Sequence, residues 1–249
     1  MPRTAKVYIA LILVSGAAVL LVAAGSWSLV SLPQFLTLLG FAAVASTLKL
    51  RIPGVEGTMS PNFVFLLLAT LVCSFSQVMV IALASALVQS LWAAKRPRLV
   101  QVSFSAAALV LSAAVAREAS YLLFGPDATH SPAAFVILSG SLYLSFNTAS
   151  VSTAIGLADG KPLVQVGRAC CECVFPYFMS GIVFAGLVSS SFPRPPVWNA
   201  AVVLFLIVLL GYLYSKNRAR TVASAPIQLA FKEDEELVEV GPHQLHTHR

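Results

Sequence analysis

The sequence has 249 residues, of which 58% are apolar and 10% are charged. An ordinary soluble domain has roughly 45–50% apolar and about 25% charged residues, so this composition excludes a soluble fold, which could not bury that much apolar surface. The formal net charge of +6 would suggest a nucleic-acid ligand in a soluble protein. In a membrane protein, lysines and arginines instead mark the cytoplasmic loops, and we expect no nucleic-acid partner.

Long apolar stretches separated by short polar segments predict an all-α fold, a polytopic transmembrane helix bundle of eight spans. About 20 apolar residues cross the hydrocarbon core as a helix, and roughly 17 to 25 are tolerated. The predicted spans are residues 7–25, 32–48, 61–75, 77–94, 99–123, 132–154, 174–192 and 197–214. The first has the basic start and apolar centre of a signal peptide. Because it is long and more spans follow, we interpret it as an uncleaved span.

The distribution of basic residues predicts the orientation of the spans. With the N-terminus inside, twelve basic residues that flank the spans are cytoplasmic and two are external. The cytoplasmic set is Arg3, Lys6, Lys49, Arg51, Lys95, Arg96, Arg98, Lys161, Arg168, Lys216, Arg218 and Arg220, and the external residues are Arg117 and Arg194. Losing or adding one span would scramble this alternation. We therefore predict that both termini are cytoplasmic, in a bacterial cytoplasmic (inner) membrane.

The third predicted span is shorter than the others. At 1.5 Å per residue, segment 61–75 covers about 22 Å, which is less than the roughly 30 Å of the hydrocarbon core. With segment 77–94 it could form a re-entrant hairpin that enters and leaves at the cytoplasmic face. This arrangement would leave the charge pattern unchanged. Six full spans plus a re-entrant hairpin are therefore the alternative architecture.

Residues 215–249, which follow the last predicted span, are expected to form a cytoplasmic tail. Basic residues begin this tail, acidic residues occupy positions 233–236, and His243, His246 and His248 lie near its end. The tail has few aromatic residues and no strong periodicity. We therefore expect disorder or a short surface helix, and we assign the bundle to residues 1–214.

The connection between the second and third spans contains the first candidate ligand-binding residues. It reads LRIPGVEGTMSPNF, in which Pro53 and Gly54 predict a turn. Ser60 followed by Pro61 predicts a helix start, with Ser60 as the cap and Pro61 at the first helical position. Unpaired N–H groups at a helix start favour an anion or a polar ligand group, so Ser60 and Asn62 are candidates. The alternative is a well-formed interhelical turn.

Three residues inside the spans complete the candidate set. Gln89 and Trp92 lie three residues apart on one face of the fourth span, near its cytoplasmic end. An amide in the membrane needs a partner on a neighbouring helix or a polar cavity, whereas a Trp at that depth is usually an interface anchor. Asn147 lies among small and hydroxylated residues, a composition typical of a helix packed inside a bundle. For Gln89 and Asn147, an interhelical hydrogen bond is the competing interpretation.

Two further groups bear charges or thiols. Arg117 and Glu118 lie near the outer end of the fifth span, where an ionisable pair suggests transport or a proton relay. Both side chains could instead reach the membrane interface. Cys170, Cys171 and Cys173 are too close together to ligate one tetrahedral zinc ion, and we expect no metal and no disulfide framework.

Motifs typical of enzymes are absent from the sequence. It has no phosphate-binding glycine loop, no H-E-x-x-H, no nucleophile elbow and no central pair of intramembrane carboxylates. We therefore expect neither an enzyme nor a cofactor.

The stretch from Leu48 to Trp92, with RIPGVEGT, SPNFVF and ALVQSLW, resembles the MASE-type integral-membrane sensor domains. These domains lie N-terminal to bacterial diguanylate cyclases and cyclic-di-GMP phosphodiesterases. The stretch SLYLSFNTASVSTAIGLADGKP, which ends at Pro162, is similar to their second half. Such sensors are fused to a cytoplasmic output domain, whereas only residues 215–249 follow the last predicted span here. The resemblance implies a stand-alone sensor module, or a relative with a different role, and ligand sensing without catalysis.

These features together predict a non-enzymatic sensor-like module that binds a small or lipid-like ligand among its helices. Its expected partners are the lipid bilayer and a cytoplasmic or membrane protein that receives the signal. The alternative is a small-solute transporter or the substrate-binding subunit of one. A weak echo between residues 45–54 and 149–160, suggesting a parallel four-plus-four repeat, favours that alternative. A scaffold for other membrane proteins is the third hypothesis.

Overall fold

The computed structural model describes residues 2–48, 50–51, 58–92, 99–125 and 131–190. These residues form seven α-helices and one pair of two-residue strands. The helices are α1 (Arg3–Gly25), α2 (Leu32–Thr47), α3 (Asn62–Val72), α4 (Phe75–Leu91), α5 (Leu99–Phe124), α6 (Pro132–Asp159) and α7 (Leu163–Ser190). Strands β1 (Leu50–Arg51) and β2 (Thr58–Met59) pair antiparallel between α2 and α3.

The predicted all-α fold is confirmed, since a helix occupies each of the first seven predicted segments. Three helices, α1, α5 and α6, are long and apolar enough to cross a membrane. The α7 helix begins at Leu163, well before the predicted residue 174. The eighth predicted segment, 197–214, and the tail, 215–249, lie outside the described residues. The number of spans and their orientation therefore stay predictions.

Apolar side chains cover the outward faces of the long helices. Val14 and Leu21 of α1 are 69% and 74% exposed, and Leu122 of α5 is 85% exposed. In water such faces would carry charged residues, whereas hydrocarbon requires apolar side chains there. These faces, with the length of the three helices, indicate a membrane protein.

The α3 helix lies at the centre of the bundle. Of its 11 residues, 10 are buried. It contacts α2, α4, α5, α6 and α7, which fits the rule that a helix apolar on all sides is buried on all sides. At 1.5 Å per residue α3 is about 16 Å long, roughly half the thickness of the hydrocarbon core. This helix is therefore too short to cross the membrane alone.

A capping box fixes the turn between α3 and α4. Ser74 is the N-cap of α4, and its Oγ accepts a hydrogen bond from the backbone N–H of Gln77 at 3.3 Å. The side-chain Oε1 of Gln77 accepts the backbone N–H of Ser74 at 3.0 Å. Two N–H groups that helix starts leave without partners are thereby satisfied. Only Cys73 and Ser74 separate the two helices, which makes the hairpin tight.

Glycines allow close contacts between helices. A Cβ atom added to Gly16 of α1 would lie 2.7 Å from the Cβ of Ala107 and 2.9 Å from its Cα, on α5. A Cβ atom added to Gly140 of α6 would lie 2.5 Å from Cγ1 of Ile182, on α7. Small residues at such contacts let helix backbones approach closely, which is how helices associate in lipid.

Replacing Gly16 with Leu should force α1 away from α5. Overpacking of this kind costs typically about 1–3 kcal/mol, so the thermal unfolding midpoint of the protein in detergent should fall. Gly40→Leu is the matched control, because a Cβ atom at Gly40 would meet nothing within 4 Å. Equal midpoints for the two variants would contradict the packing of α1 on α5.

Candidate functional site

Two of the five candidate residues are in contact at the open end of the α3–α4 hairpin. Asn62 is the first residue of α3, and Gln89 lies in the last turn of α4. Nδ2 of Asn62 donates a hydrogen bond to Oε1 of Gln89 at 3.4 Å. Asn62 is buried and Gln89 is half-buried. The contact therefore joins the two helices at the end opposite the Cys73–Ser74 turn.

The Asn62–Gln89 hydrogen bond is long. N–H···O bonds in proteins usually measure about 2.7–3.2 Å, and a typical one contributes only about 0.5–1.5 kcal/mol of net stability. An Asn amide offers two donor hydrogens and an acceptor oxygen with two lone pairs. Asn62 makes no second side-chain hydrogen bond to the residues that the structure describes. A polar ligand group could thus replace this bond at small energetic cost.

Ser85 is a buried polar residue that the sequence analysis missed. It lies four residues before Gln89 on α4, is 1% exposed, and its Oγ has no hydrogen-bond partner in the described part of the chain. Hydroxyl groups in buried helices usually bond to their own backbone, as Ser112 does to the carbonyl of Ala108 at 2.6 Å. Leaving a buried hydroxyl unpaired costs about 1–3 kcal/mol. The sequence gives no signal that separates Ser85 from serines that bond to their own helix.

The predicted role of Ser60 as the cap of α3 is wrong. Pro61 is the N-cap residue, α3 begins at Asn62, and no side-chain cap hydrogen bond forms. The Oγ of Ser60 instead donates to the carbonyl oxygen of Ser46 at 3.2 Å. Ser46 lies in the last turn of α2, where carbonyl groups lack partners within the helix. The pairing of β1 with β2 returns the chain to α2, and Ser60 there satisfies a carbonyl group in the last turn of that helix.

Trp92 and Asn147 make no side-chain hydrogen bond to the Asn62–Gln89 pair in the ranges that the structure describes. Trp92 is the C-cap residue of α4 and is 57% exposed, as an interface anchor would be. Asn147 is half-buried on α6, and its side chain has no hydrogen-bond partner among the described residues. The interhelical hydrogen bond considered as an alternative therefore forms at Gln89 and not at Asn147. Ligand binding by either Trp92 or Asn147 stays a prediction.

An aromatic cluster connects the start of α3 to α6 and α7. The ring of Phe63, next to Asn62, lies 4.5 Å from the ring of Phe178 on α7. The ring of Tyr143 on α6 lies 6.1 Å from the same Phe178 ring. A Cβ atom at Gly181 would overlap the ring of Phe63, so only glycine permits this approach. Aromatic rings therefore pack the start of α3 against α6 and α7.

The ionisable pair lies near the opposite end of the hairpin. Nη1 of Arg117 lies 2.6 Å from Oε1 of Glu118, and the side chains are 14% and 54% exposed. Nη2 of Arg117 donates to the carbonyl oxygen of Cys73 at 3.4 Å. The guanidinium carbon lies 4.5 Å from the ring centroid of Tyr121. Glu118 is therefore exposed, whereas Arg117 packs inward against the hairpin.

Cys170 and Cys171 of α7 form no metal site with other described residues. Cys170 is half-buried and Cys171 is exposed. Within the described ranges, no group of three His, Cys, Asp or Glu side chains could hold a metal ion. An exposed ion pair, Arg168 Nε to Glu172 Oε1 at 2.7 Å, lies beside them. The histidines of the tail lie outside the described residues.

Replacing Ser60 with Ala should loosen the end of α2 and leave the start of α3 unchanged. The loss of one buried hydrogen bond costs about 1 kcal/mol, which would raise amide hydrogen exchange several-fold in the peptide that contains Ser46. Ser145→Ala is the control, because the hydroxyl of Ser145 is exposed and bonds only to its own helix. If exchange instead rises in the first turn of α3, Ser60 caps α3 and the assignment fails.

Comparisons with protein-family models, with curated proteins and with solved structures find no match.

Proposed function

We propose that the chain is a non-enzymatic integral membrane sensor module that binds a small or lipid-like ligand within its helix bundle. One observation carries this proposal: the long Asn62–Gln89 hydrogen bond, with the unpaired hydroxyl of Ser85 one turn deeper on α4. Buried polar groups destabilise a fold unless they are paired, so the long bond of Asn62 and the unpaired hydroxyl of Ser85 suggest a partner that arrives from outside. Phe63, the residue that follows Asn62 in α3, would contact the apolar remainder of the ligand.

The resemblance to MASE-type sensor domains supports the same proposal. The stretch from Leu48 to Trp92 contains Ser60, Asn62 and Gln89. The resemblance suggests the class of function, and the hydrogen-bonding capacity of the site suggests where the ligand lies. Signals would pass to a cytoplasmic or membrane protein partner.

The proposed setting is a bacterial cytoplasmic membrane, crossed eight times with both termini inside. The distribution of lysines and arginines supports this orientation. The alternative of six full spans plus a re-entrant hairpin gains support from α3, because its 11 residues are buried on nearly all sides. In both arrangements the Asn62–Gln89 contact lies near the cytoplasmic side.

Signalling would begin with the contact between α3 and α4. A ligand that replaces the Asn62–Gln89 bond would favour a state in which the open end of the hairpin is rearranged, provided that the ligand binds this state more tightly. Packing of Phe63 on Phe178 couples the start of α3 to α7. The α7 helix begins with an exposed segment around Arg168, which a protein partner could contact.

A small-solute transporter is the second candidate function. The inward-packed Arg117 favours it, because ionisable groups inside membrane helices often mark the path of a solute or proton. Uptake of a solute into proteoliposomes separates the two functions. Saturable binding without accumulation favours the sensor, and accumulation favours the transporter.

Ligand retention tests the proposed site. The full chain is purified from membranes in mild detergent, and co-purifying small molecules and lipids are quantified by mass spectrometry. Asn62→Leu combined with Gln89→Leu should reduce recovery of the bound compound about tenfold or more, the effect of losing one or two hydrogen bonds to a ligand. Recovery equal to that of the unchanged protein would contradict the proposal.

A control separates lost binding from lost folding. Replacing both partners of a hydrogen bond with apolar groups of similar size is often nearly neutral, and the unfolding midpoint of the double variant is compared with that of the unchanged protein. Ser145→Ala, at an exposed position of α6, should change neither recovery nor the midpoint. If all three proteins retain no compound, the bundle does not hold a ligand tightly and the sensor proposal fails in this form.

A further inference from the structure

The peptide group that joins Cys73 and Ser74 is held at both ends by side chains. Nη2 of Arg117 donates to the carbonyl oxygen of Cys73 at 3.4 Å. The N–H of Ser74 donates to Oε1 of Gln77 at 3.0 Å. Within one peptide group the oxygen and nitrogen are roughly 2.3 Å apart. Because the C=O and N–H of a trans peptide point in opposite directions, the guanidinium of Arg117 and the amide of Gln77 lie at opposite edges of this one peptide group.

Both side chains keep a buried donor without a partner. Nε of Arg117 and Nε2 of Gln77 are buried and make no hydrogen bond within the described part of the chain. Gln77 is 0% exposed. An unpaired buried donor costs about 1–3 kcal/mol, and more when it belongs to a charged group. Since both atoms are donors, the partner that would satisfy them is an acceptor.

The charge of Arg117 is only partly balanced inside the protein. Its carboxylate partner, Glu118, is the next residue on the same helix and is 54% exposed. The rings of Tyr121 and Phe75, at 4.5 Å and 5.8 Å from the guanidinium carbon, stabilise a cation without neutralising it. Because Glu118 is exposed, its carboxylate can turn to solvent when another anion approaches. Guanidinium groups bind carboxylate and phosphate oxygens in a two-pronged geometry.

The turn is anchored from its other side, which would keep such a site in place. Oγ of Ser74 donates to the carbonyl oxygen of Ser28 at 2.6 Å. Oγ of Ser76 donates to the carbonyl oxygen of Ser26 at 2.9 Å. The connection between α1 and α2 thus holds the start of α4. A site held by its surroundings loses little entropy when a ligand binds.

We propose that Gln77 and Arg117 form a second binding site, the turn site, for an anionic oxygen group of the carboxylate or phosphate class. Without a ligand, Glu118 occupies one side of the guanidinium. The site lies at the end of the hairpin opposite the Asn62–Gln89 contact and is independent of the ligand proposed there. A phospholipid headgroup and a soluble anion offer the same chemistry. Leu122, five residues after Arg117 on α5, is exposed and would suit a lipid chain.

Binding to the full chain in lipid nanodiscs tests the turn site. One arm measures retention of phosphatidylglycerol against phosphatidylcholine by native mass spectrometry. The other arm measures the shift of the unfolding midpoint by inorganic phosphate or by succinate, in nanodiscs of phosphatidylcholine alone. Selective retention of phosphatidylglycerol indicates a lipid, and a shift by phosphate or succinate indicates a soluble anion. Either result supports the turn site if the effect is lost when Arg117 is replaced. The absence of both effects overturns the proposal.

Three variants and one control make the test specific. Arg117→Gln should weaken binding about tenfold or more, as expected for losing a hydrogen bond to a charged group. Gln77→Leu should weaken it several-fold. Glu118→Gln should strengthen it several-fold, because the competing carboxylate is removed. Arg168→Gln, which removes the same charge from an exposed ion pair, should leave binding unchanged.

The Glu118→Gln result decides between a binding site and a structural ion pair. If the pair only stabilises the fold, this variant lowers the unfolding midpoint and does not tighten binding, which overturns the proposal. An equal loss of binding in Arg168→Gln and Arg117→Gln also overturns it, because the effect would then be one of net charge. If Arg117→Gln fails to fold, the other two variants still test the site, because Gln77→Leu should weaken anion binding and Glu118→Gln should strengthen it.

Discussion

The rest of the structure depends on one constraint, that the α3–α4 hairpin is buried and its polar groups must find partners inside the protein. Ten residues of α3 are buried, so water does not satisfy them. In such surroundings a polar group without a partner is costly, and each polar contact of the hairpin needs an explanation. At the closed end of the hairpin, the Cys73–Ser74 turn, the capping box of Ser74 and Gln77 pairs two backbone N–H groups. At the open end, Asn62 and Gln89 share a long hydrogen bond.

The two ends of the hairpin differ in which polar groups lack partners among the described residues. At the open end an acceptor or donor could replace a weak bond, and Ser85 adds an unpaired hydroxyl. At the closed end the unpaired atoms are donors on Arg117 and Gln77, which calls for an acceptor. Glycine contacts and aromatic rings fix the surrounding helices, so these polar groups are held in a defined geometry. Binding at either end would act on the same two helices.

The sequence predicts the helices well because apolar runs bounded by polar segments are typical of helices that are surrounded by hydrocarbon. It also predicts that Gln89 needs a partner on another helix or a polar cavity. It does not predict the hydrogen bond from Ser60 to the last turn of α2. The local Ser-Pro pattern indicates a helix cap, whereas this bond depends on the pairing of β1 with β2. The sequence analysis places the start of α7 too late, at residue 174. Arg168 and Glu172 lie just before that apolar run and mark its boundary, but the helix continues through them to Leu163. The unpaired atoms of Ser85 and Gln77 depend on tertiary packing, which sequence patterns do not report.

The contact between Asn62 and Gln89 is the central claim, and a double-mutant cycle tests it most directly. Asn62→Ala, Gln89→Ala and the combined variant are unfolded reversibly in detergent, and the free energies of unfolding are compared with that of the unchanged protein. Interhelical hydrogen bonds in membranes couple by about 0.6 kcal/mol on average, and we expect a coupling of about that size. Strict additivity of the two substitutions would contradict the account, because residues that do not interact have no coupling energy.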